Sequence, residues 1–205
     1  MSYEVKQRHE RFHGNVFTVL TDDVTMPGGG VAARDYVVHI GAVAVVAVDE
    51  TDRVVLVRQY RHAVGRELWE LPAGLVDVAG EELPAAAARE LAEEADLTAK
   101  QWQLLLDMHT SPGFSNEVVR AYLARELTEV PEAERHTRDH EEADLVCRRV
   151  PLSEAVDMVL RGEITNGIAV GGVLAAARMR DRDWPPAVRP LDDPLPRLPL
   201  APVKG

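Results

Sequence analysis

Residues 74–97 read GLVDVAGEELPAAAARELAEEADL. The second half is rich in alanine and leucine, and proline is tolerated in a first helical turn, so a helix is predicted to begin near Pro84. At roughly 100° per residue, Glu90, Glu93 and Glu94 share one narrow sector. Ala85, Ala88, Leu91, Ala92 and Ala95 cover the opposite side. The small apolar side is predicted to pack on a sheet, and the acidic side to face outward or into a cleft. Like charges at this spacing destabilise a helix by roughly 0.2–0.5 kcal/mol per pair. Only Arg89 offsets them nearby, as the i, i+4 partner of Glu93. Such a face is either solvated, as most charge runs are, or a divalent cation site. Mg²⁺ takes hard oxygen ligands, often one or two carboxylates plus substrate phosphates. Spacing alone leaves both readings open.

Upstream, AVAVVAV and VVLVRQY read as consecutive strands around the turn DETDR, and ELWELP as a third strand stopped by Pro72. AGLVDVAGEE reads as a glycine-bounded loop. Downstream, strands are predicted at WQLLLDM, VVRAYLA and ADLVCRRV, and helices over 152–161 and 166–179. Near the N-terminus, VFTVL and DYVVHI read as strands around the turn signal MPGGG. That segment is too small for a sound core, so it must pack on the rest of the chain or on a second subunit. After Asp183 the run WPPAVRPLDDPLPRLPLAPV excludes regular helix or central strand. It is expected either to be disordered or to wrap the surface. The expected organisation is an N-terminal β-strand dimerisation segment over 1–40, a main domain over 41–182 and a proline-rich tail over 183–205.

The 205 residues are 46% hydrophobic and 28% charged, an ordinary globular balance. A formal net charge of −11 repels polyanions such as DNA, although a local basic patch can still hold a small anion. A single cysteine, Cys147, excludes an internal disulfide framework and points to a reducing compartment. Cys147 itself reads as a strand residue. The opening MSYEVKQRHERFHG is too polar for a signal peptide. The longest apolar run, GIAVGGVLAAA, is far shorter than a bilayer span and reads as a buried helix. A cytoplasmic protein with no membrane and no nucleic-acid partner is expected.

Residues 74–97 resemble the signature of the Nudix hydrolases: a glycine, a glutamate several residues on, seven residues, then Arg-Glu-apolar-x-Glu-Glu-x-Gly-apolar. Here these are Gly74, Glu81, Arg89, Glu90, Leu91, Glu93, Glu94 and Leu97. Two departures stand out. Six residues separate Gly74 from Glu81 where the common pattern has five, and Asp96 replaces the glycine that stops the helix. Aspartate tolerates the left-handed conformation better than most residues. The resemblance implies an α/β fold, a Nudix α/β/α sandwich with a mixed sheet, preceded by a small N-terminal antiparallel β-sheet segment. The family hydrolyses nucleoside diphosphates linked to another group. SPGFSNE, with Pro112 fifteen residues after Leu97, together with RQYRH, WELPAG and HEEAD, resembles the ADP-ribose and ADP-sugar pyrophosphatase branch. That implies conversion of ADP-ribose and water to AMP and ribose 5-phosphate. The alternatives are another nucleotide sugar or nucleoside diphosphate derivative, or a non-catalytic ADP-ribose sensor. The retained glutamates, and the absence of a basic stripe or a DNA-binding addition, weigh against the sensor.

The same resemblance implies roles for individual residues. Glu90 and Glu94 become the main ligands of Mg²⁺ or Mn²⁺, with Glu93 and the backbone carbonyl of Ala73 joining them. Glu81 stands beside or near the metal, and Arg89 orients a carboxylate. The general base comes from the acidic stretch DHEEAD, Glu142 first and Glu141 second; the alternative is a solvated acidic loop. Arg58 and Arg61 pair with phosphate or the terminal ribose, or are exposed strand charges. Trp69 stacks on adenine or fills the core. Pro112, Gly113 and Phe114 contribute to the substrate site, and Glu117 accepts from a ribose hydroxyl or is a strand-edge charge. The related pyrophosphatases exchange N-terminal strands between subunits, so a homodimer acting on a small-molecule nucleoside diphosphate sugar is expected.

Overall fold

A computed structural model describes residues 3–138 and 145–196. The described residues divide into two units, one holding residues 3–41, 109–118 and 196, the other 42–108, 119–138 and 145–195.

In the first unit, β1 (Val5–His13), β2 (Phe17–Thr25) and β3 (Val31–His39) form an antiparallel sheet in that order. The β2–β3 turn places Gly28 and Gly29 at φ of 102° and 91°, backbone that side chains resist. Residues 110–117 dock on β3: Val37 N–H donates to the Phe114 carbonyl at 2.7 Å, and Asn116 N–H to the Val37 carbonyl at 3.1 Å. Strand β1 carries only Val5 and Phe12 as apolar residues, so no hydrophobic pattern announces it. Ion pairing with β2 helps to hold it. The Arg8 guanidinium grips both carboxylate oxygens of Asp22 at 2.7 and 2.8 Å, and the Tyr36 hydroxyl donates to the same carboxylate at 2.9 Å.

The Arg8 hydrogen bond, helped by Tyr36 and opposed by burial, holds the Asp22 carboxyl below its ordinary value. The unfolded chain takes up this proton at higher pH than the folded one. The stabilisation is therefore complete above the ordinary carboxylate range and is lost as pH falls towards the folded value. Asp22→Asn should lower Tm at neutral pH and shrink its fall on acidification. If the variant loses as much Tm as wild type between about pH 6 and pH 3, the pair does not carry the acid sensitivity.

In the second unit, β4 (Ala42–Ala47), β7 (Ala73–Leu75), β8 (Leu97–His109) and β9 (Val118–Glu129) form a sheet of order β7-β4-β9-β8. β4 runs antiparallel to β7 and parallel to β9, so the sheet is mixed, as expected. β5 (Arg53–Arg61), β6 (Arg66–Glu70) and β10 (Val146–Pro151) form a second sheet of order β10-β5-β6. α1 (Leu83–Ala95), α2 (Leu152–Leu160) and α3 (Gly167–Arg180) complete the unit.

The uninterrupted apolar run of β4 reflects burial on both faces. Val43, Val45 and Ala47 pack with Ala86, Ala87 and Leu91 of α1. Ala44 and Val46 pack with Leu152, Ala155, Ala169 and Val173 of α2 and α3. The result is an α/β/α sandwich. Helix α3 is less buried than its sequence suggests. Ala169, Gly172, Val173 and Ala176 face the core, but Leu174 is 42% exposed. Gly172 permits the close approach, because a Cβ there would stand 2.6 Å from Leu71 and 2.9 Å from Val46. The segment expected to be wholly loop, AGLVDVAGEE, begins instead as β7, which is too short to show a pattern. No helix among the described residues is long and apolar enough to cross a membrane.

Candidate active site

Helix α1 carries the site, and its orientation differs from the expected one. Its buried residues are Ala86, Ala87, Glu90, Leu91, Glu94 and Ala95, whereas Ala85 is exposed. Acidic and apolar side chains thus share the buried side, with Glu90 at 8% and Glu94 at 4% exposure. Strand β7 explains how the core accepts them. Gly74 has no side chain, and a Cβ built there would lie 2.0 Å from the Glu90 carboxyl carbon. The Glu90 carboxylate therefore rests where a side chain would be. One residue earlier, Ala73 N–H donates to Glu94 Oε2 at 2.9 Å. Two carboxylates one turn apart on α1 are drawn onto consecutive residues of β7.

Arg89 gathers the other acids. Its Nε and Nη2 each donate to Glu81 at 3.1 Å, while Nη1 donates to Glu90 at 2.6 Å and to Glu93 at 3.0 Å. The hydrogen bonds that Arg89 donates to Glu81 are the largest influence raising the Arg89 pKa, against an opposing effect of burial. A cavity of about 580 Å³ opens beside Arg89 and Glu93. The helix ends as the signature requires despite its aspartate: Asp96 adopts φ 54° and ψ 37°, the left-handed stop. Its carboxylate also accepts from Arg138 Nη2 at 2.7 Å, and Arg138 Nε donates to the Glu93 carbonyl at 3.0 Å.

Among the described residues, no three His, Cys, Asp or Glu side chains form a closed ligand set. Arg89 and the Ala73 amide already engage the carboxylates. A hard divalent cation does not need such a closed set, since one or two carboxylates plus substrate phosphates suffice. Glu90, Glu94 and the backbone of β7 are oxygen donors of that kind, and the Gly74 cradle places one carboxylate against the strand. The donor set fits such an ion.

The remaining expected residues fall into separate places. Arg58 lies over the Trp69 ring at 5.4 Å from its centroid and pairs with Glu67 at 3.5 Å. Trp69 also packs partly against the core. Arg61 makes a two-pronged pair with the buried Glu70, at 2.9 and 2.7 Å. Pro112, Gly113, Phe114 and Glu117 belong to the first unit. There Pro112, Gly113 and Phe114 line a cavity of about 770 Å³ with Arg8, Arg34 and Tyr36. Phe114 is 60% exposed. Glu117 accepts from the Thr110 hydroxyl. Glu141 and Glu142 lie outside the described residues. Sequence reasoning missed the pairing of Arg138 with Asp96. The aspartate at a glycine position was the only local signal.

An α/β/α sandwich whose first helix seats two buried carboxylates on a glycine-bearing strand defines a carboxylate site on a layered scaffold. The chain belongs to the Nudix family: residues 38–167 match the NUDIX domain. It is 52% identical over 179 residues to an ADP-ribose pyrophosphatase of Mycobacterium tuberculosis, covering 87% of this chain and 84% of that protein. It is 36% identical over 157 residues to an ADP-ribose pyrophosphatase of Bacillus subtilis, covering 77% of this chain and 83% of the relative. A solved structure of an ADP compounds hydrolase superposes with a TM-score of 0.76 at 19% identity, covering 90% of this chain and 98% of that one, a likeness of fold. Nudix hydrolases generally need a divalent metal.

Proposed function

We propose that the protein hydrolyses the pyrophosphate of ADP-ribose, releasing AMP and ribose 5-phosphate. The observation that carries this reading is the seating of Glu90 and Glu94 on β7, in a chain half identical to an ADP-ribose pyrophosphatase. In the reaction, water adds to one phosphorus, the bond from that same phosphorus to the bridging oxygen breaks, and the other phosphate leaves with that oxygen. Glu90 and Glu94, with Glu93 and the Ala73 carbonyl, would hold Mg²⁺ or Mn²⁺. Such an ion would neutralise phosphate oxygens and acidify the water. Glu81 holds Arg89, and Arg89 fixes the carboxylates of Glu90 and Glu93. Glu142, or its neighbour Glu141, accepts the proton of the attacking water. Arg61 and Arg58 pair with the phosphates or the terminal ribose, which requires Arg61 to share its guanidinium with Glu70. Trp69, Pro112, Gly113, Phe114 and Glu117 bind the nucleoside.

Hydrolysis of a panel of nucleoside diphosphate derivatives with each metal, with products identified, tests the substrate. ADP-ribose should be cleaved to AMP and ribose 5-phosphate with the highest kcat/KM. Faster turnover of a GDP sugar or of a dinucleotide would replace it. For the base, Glu142→Gln should lower kcat while leaving metal and substrate affinity intact. Full activity in Glu142→Gln with loss in Glu141→Gln assigns the neighbour, and activity in both places the base elsewhere.

The protein acts as a cytoplasmic homodimer in this reading, with residues 1–40 as the dimerisation segment. The support is exposed apolar surface on the first unit, where Val5, Phe12, Phe17 and Val31 are each more than 40% exposed. Phe12 and Phe17 sit together at one end of the sheet, with ring centroids 5.9 Å apart. Deleting residues 1–40 should abolish the dimer and weaken ADP-ribose binding, read by light scattering and by KM. A monomeric, fully active intact protein would sink the proposal.

A further inference from the structure

Arg120 stands alone as a charge in the apolar run VVRAYLA of β9, and it is 1% exposed. A buried guanidinium is tolerated only when its donors are matched. Part of the match is local: Nε and Nη2 donate to the two carboxylate oxygens of Asp107 on β8, at 2.7 and 3.0 Å. The rest comes from the far end of the chain. Arg120 Nη1 donates to the Asp193 carbonyl, and Nη2 to the Pro194 carbonyl at 3.4 Å. The tail returns the contact with its own cation. Arg189 Nη2 donates to Asp107 Oδ2 at 2.6 Å, and Arg189 Nε to Asp193 Oδ2 at 2.7 Å. Leu191, between them, packs against the core cluster on the α1 side of the sheet. Two arginines and two aspartates from β8, β9 and the tail thus form one closed network, and a hydrophobic side chain secures it.

The position of this network gives it a consequence. β8 and β9 are neighbours in the sheet, joined by the loop over 110–117. Asp107 is at the root of that loop on one strand and Arg120 at its root on the other. We propose that residues 189–194 are a clip that clasps both roots, and that Arg189 is a positioning residue for substrate binding. The proposal rests on the reading that the 110–117 loop binds substrate. Proline suits the clip, because Pro190 and Pro194 stiffen the segment before it docks and so reduce the entropy lost on docking. Arg189 is the exposed member of the network and Arg120 the buried one, with side-chain exposures of 37% and 1%. Removing Arg189 therefore loosens the clip without leaving a cavity in the core.

Arg189→Ala, Arg189→Lys and Phe114→Ala in the full chain test this, through steady-state kinetics with ADP-ribose and hydrogen exchange of peptides spanning 104–124. Arg189→Ala should raise KM about five- to tenfold, keep kcat within about twofold and speed exchange at both loop roots; this range corresponds to about 1–1.4 kcal/mol, somewhat less than one full charge-assisted hydrogen bond. Arg189→Lys keeps one such hydrogen bond and should fall between alanine and wild type. If Arg189→Ala changes neither exchange nor KM while Phe114→Ala raises KM, the clip is overturned and the loop's substrate role stands. If Arg189→Ala speeds exchange but neither variant changes KM, the loop's substrate role is overturned, and with it the positioning role of Arg189. Equal loss of kcat in Arg189→Ala and Arg189→Lys, with KM unchanged, also overturns the positioning role.

Discussion

Glu94→Gln is expected to reduce turnover by about a thousandfold or more while the protein folds normally. Charge stabilisation by a bound metal is worth several kcal/mol in the transition state, and each 1.4 kcal/mol or so is tenfold in rate. The substitution is conservative for the fold. Ala73 N–H, which donates to Glu94 Oε2 at 2.9 Å, can donate equally to the amide oxygen of glutamine. It also lowers the charge of a helix that sets three carboxylates against Arg89, so the metal-free variant should melt no lower than metal-free wild type. Glu90→Gln should lose comparable activity, at a somewhat greater cost in stability, because it weakens the 2.6 Å contact with Arg89. Mn²⁺ titration should show weakened binding in both variants. Near-normal turnover of either at saturating Mg²⁺ would remove that glutamate from the ligand set.

Glu94 also shows how far a local pattern can be read. The helix over 83–95 was legible because alanines, a first-turn proline and acids at helical spacing all agree. The direction of the acids was not. A helical wheel separates polar from apolar residues and assumes that the polar side meets water. Here the polar side meets β7, and what permits it is a missing Cβ at Gly74, sixteen or more residues away in sequence. β1 was illegible for a different reason: part of its stability lies in the Arg8–Asp22–Tyr36 network rather than in alternating hydrophobics. β4 was the easiest strand, because burial on both faces leaves an unbroken apolar run. The lone arginine of VVRAYLA gave no sign of its partners, two of which lie more than 65 residues downstream. Charges whose neighbours are supplied by the fold look the same in sequence as charges that face solvent. Acidic residues on α1 and basic residues on β9 are both of this kind.

Gly74→Ala should separate the site from the fold more cleanly than any change to an acid. The backbone at Gly74 is not in the left-handed region, so alanine suits its conformation. Replacing glycine at a compatible position stabilises by about 0.4–1 kcal/mol through the unfolded chain. The new methyl, however, would stand 2.0 Å from both the carboxyl carbon and Oε1 of Glu90. The group it meets is the end of a flexible side chain, so the fold can yield by swinging the carboxylate aside. What cannot yield is the function, if that carboxylate must be in place. A displacement of about 1 Å at a catalytic group costs on the order of a hundredfold in rate. Gly74→Ala should therefore keep Tm within a few degrees of wild type, weaken Mn²⁺ binding and lower kcat about a hundredfold. Glu90→Gln added to Gly74→Ala should cost much less than it does alone, because the carboxylate has already been moved. Full activity in Gly74→Ala, with Tm unchanged, would show that the Glu90 carboxylate does not need its seat on β7.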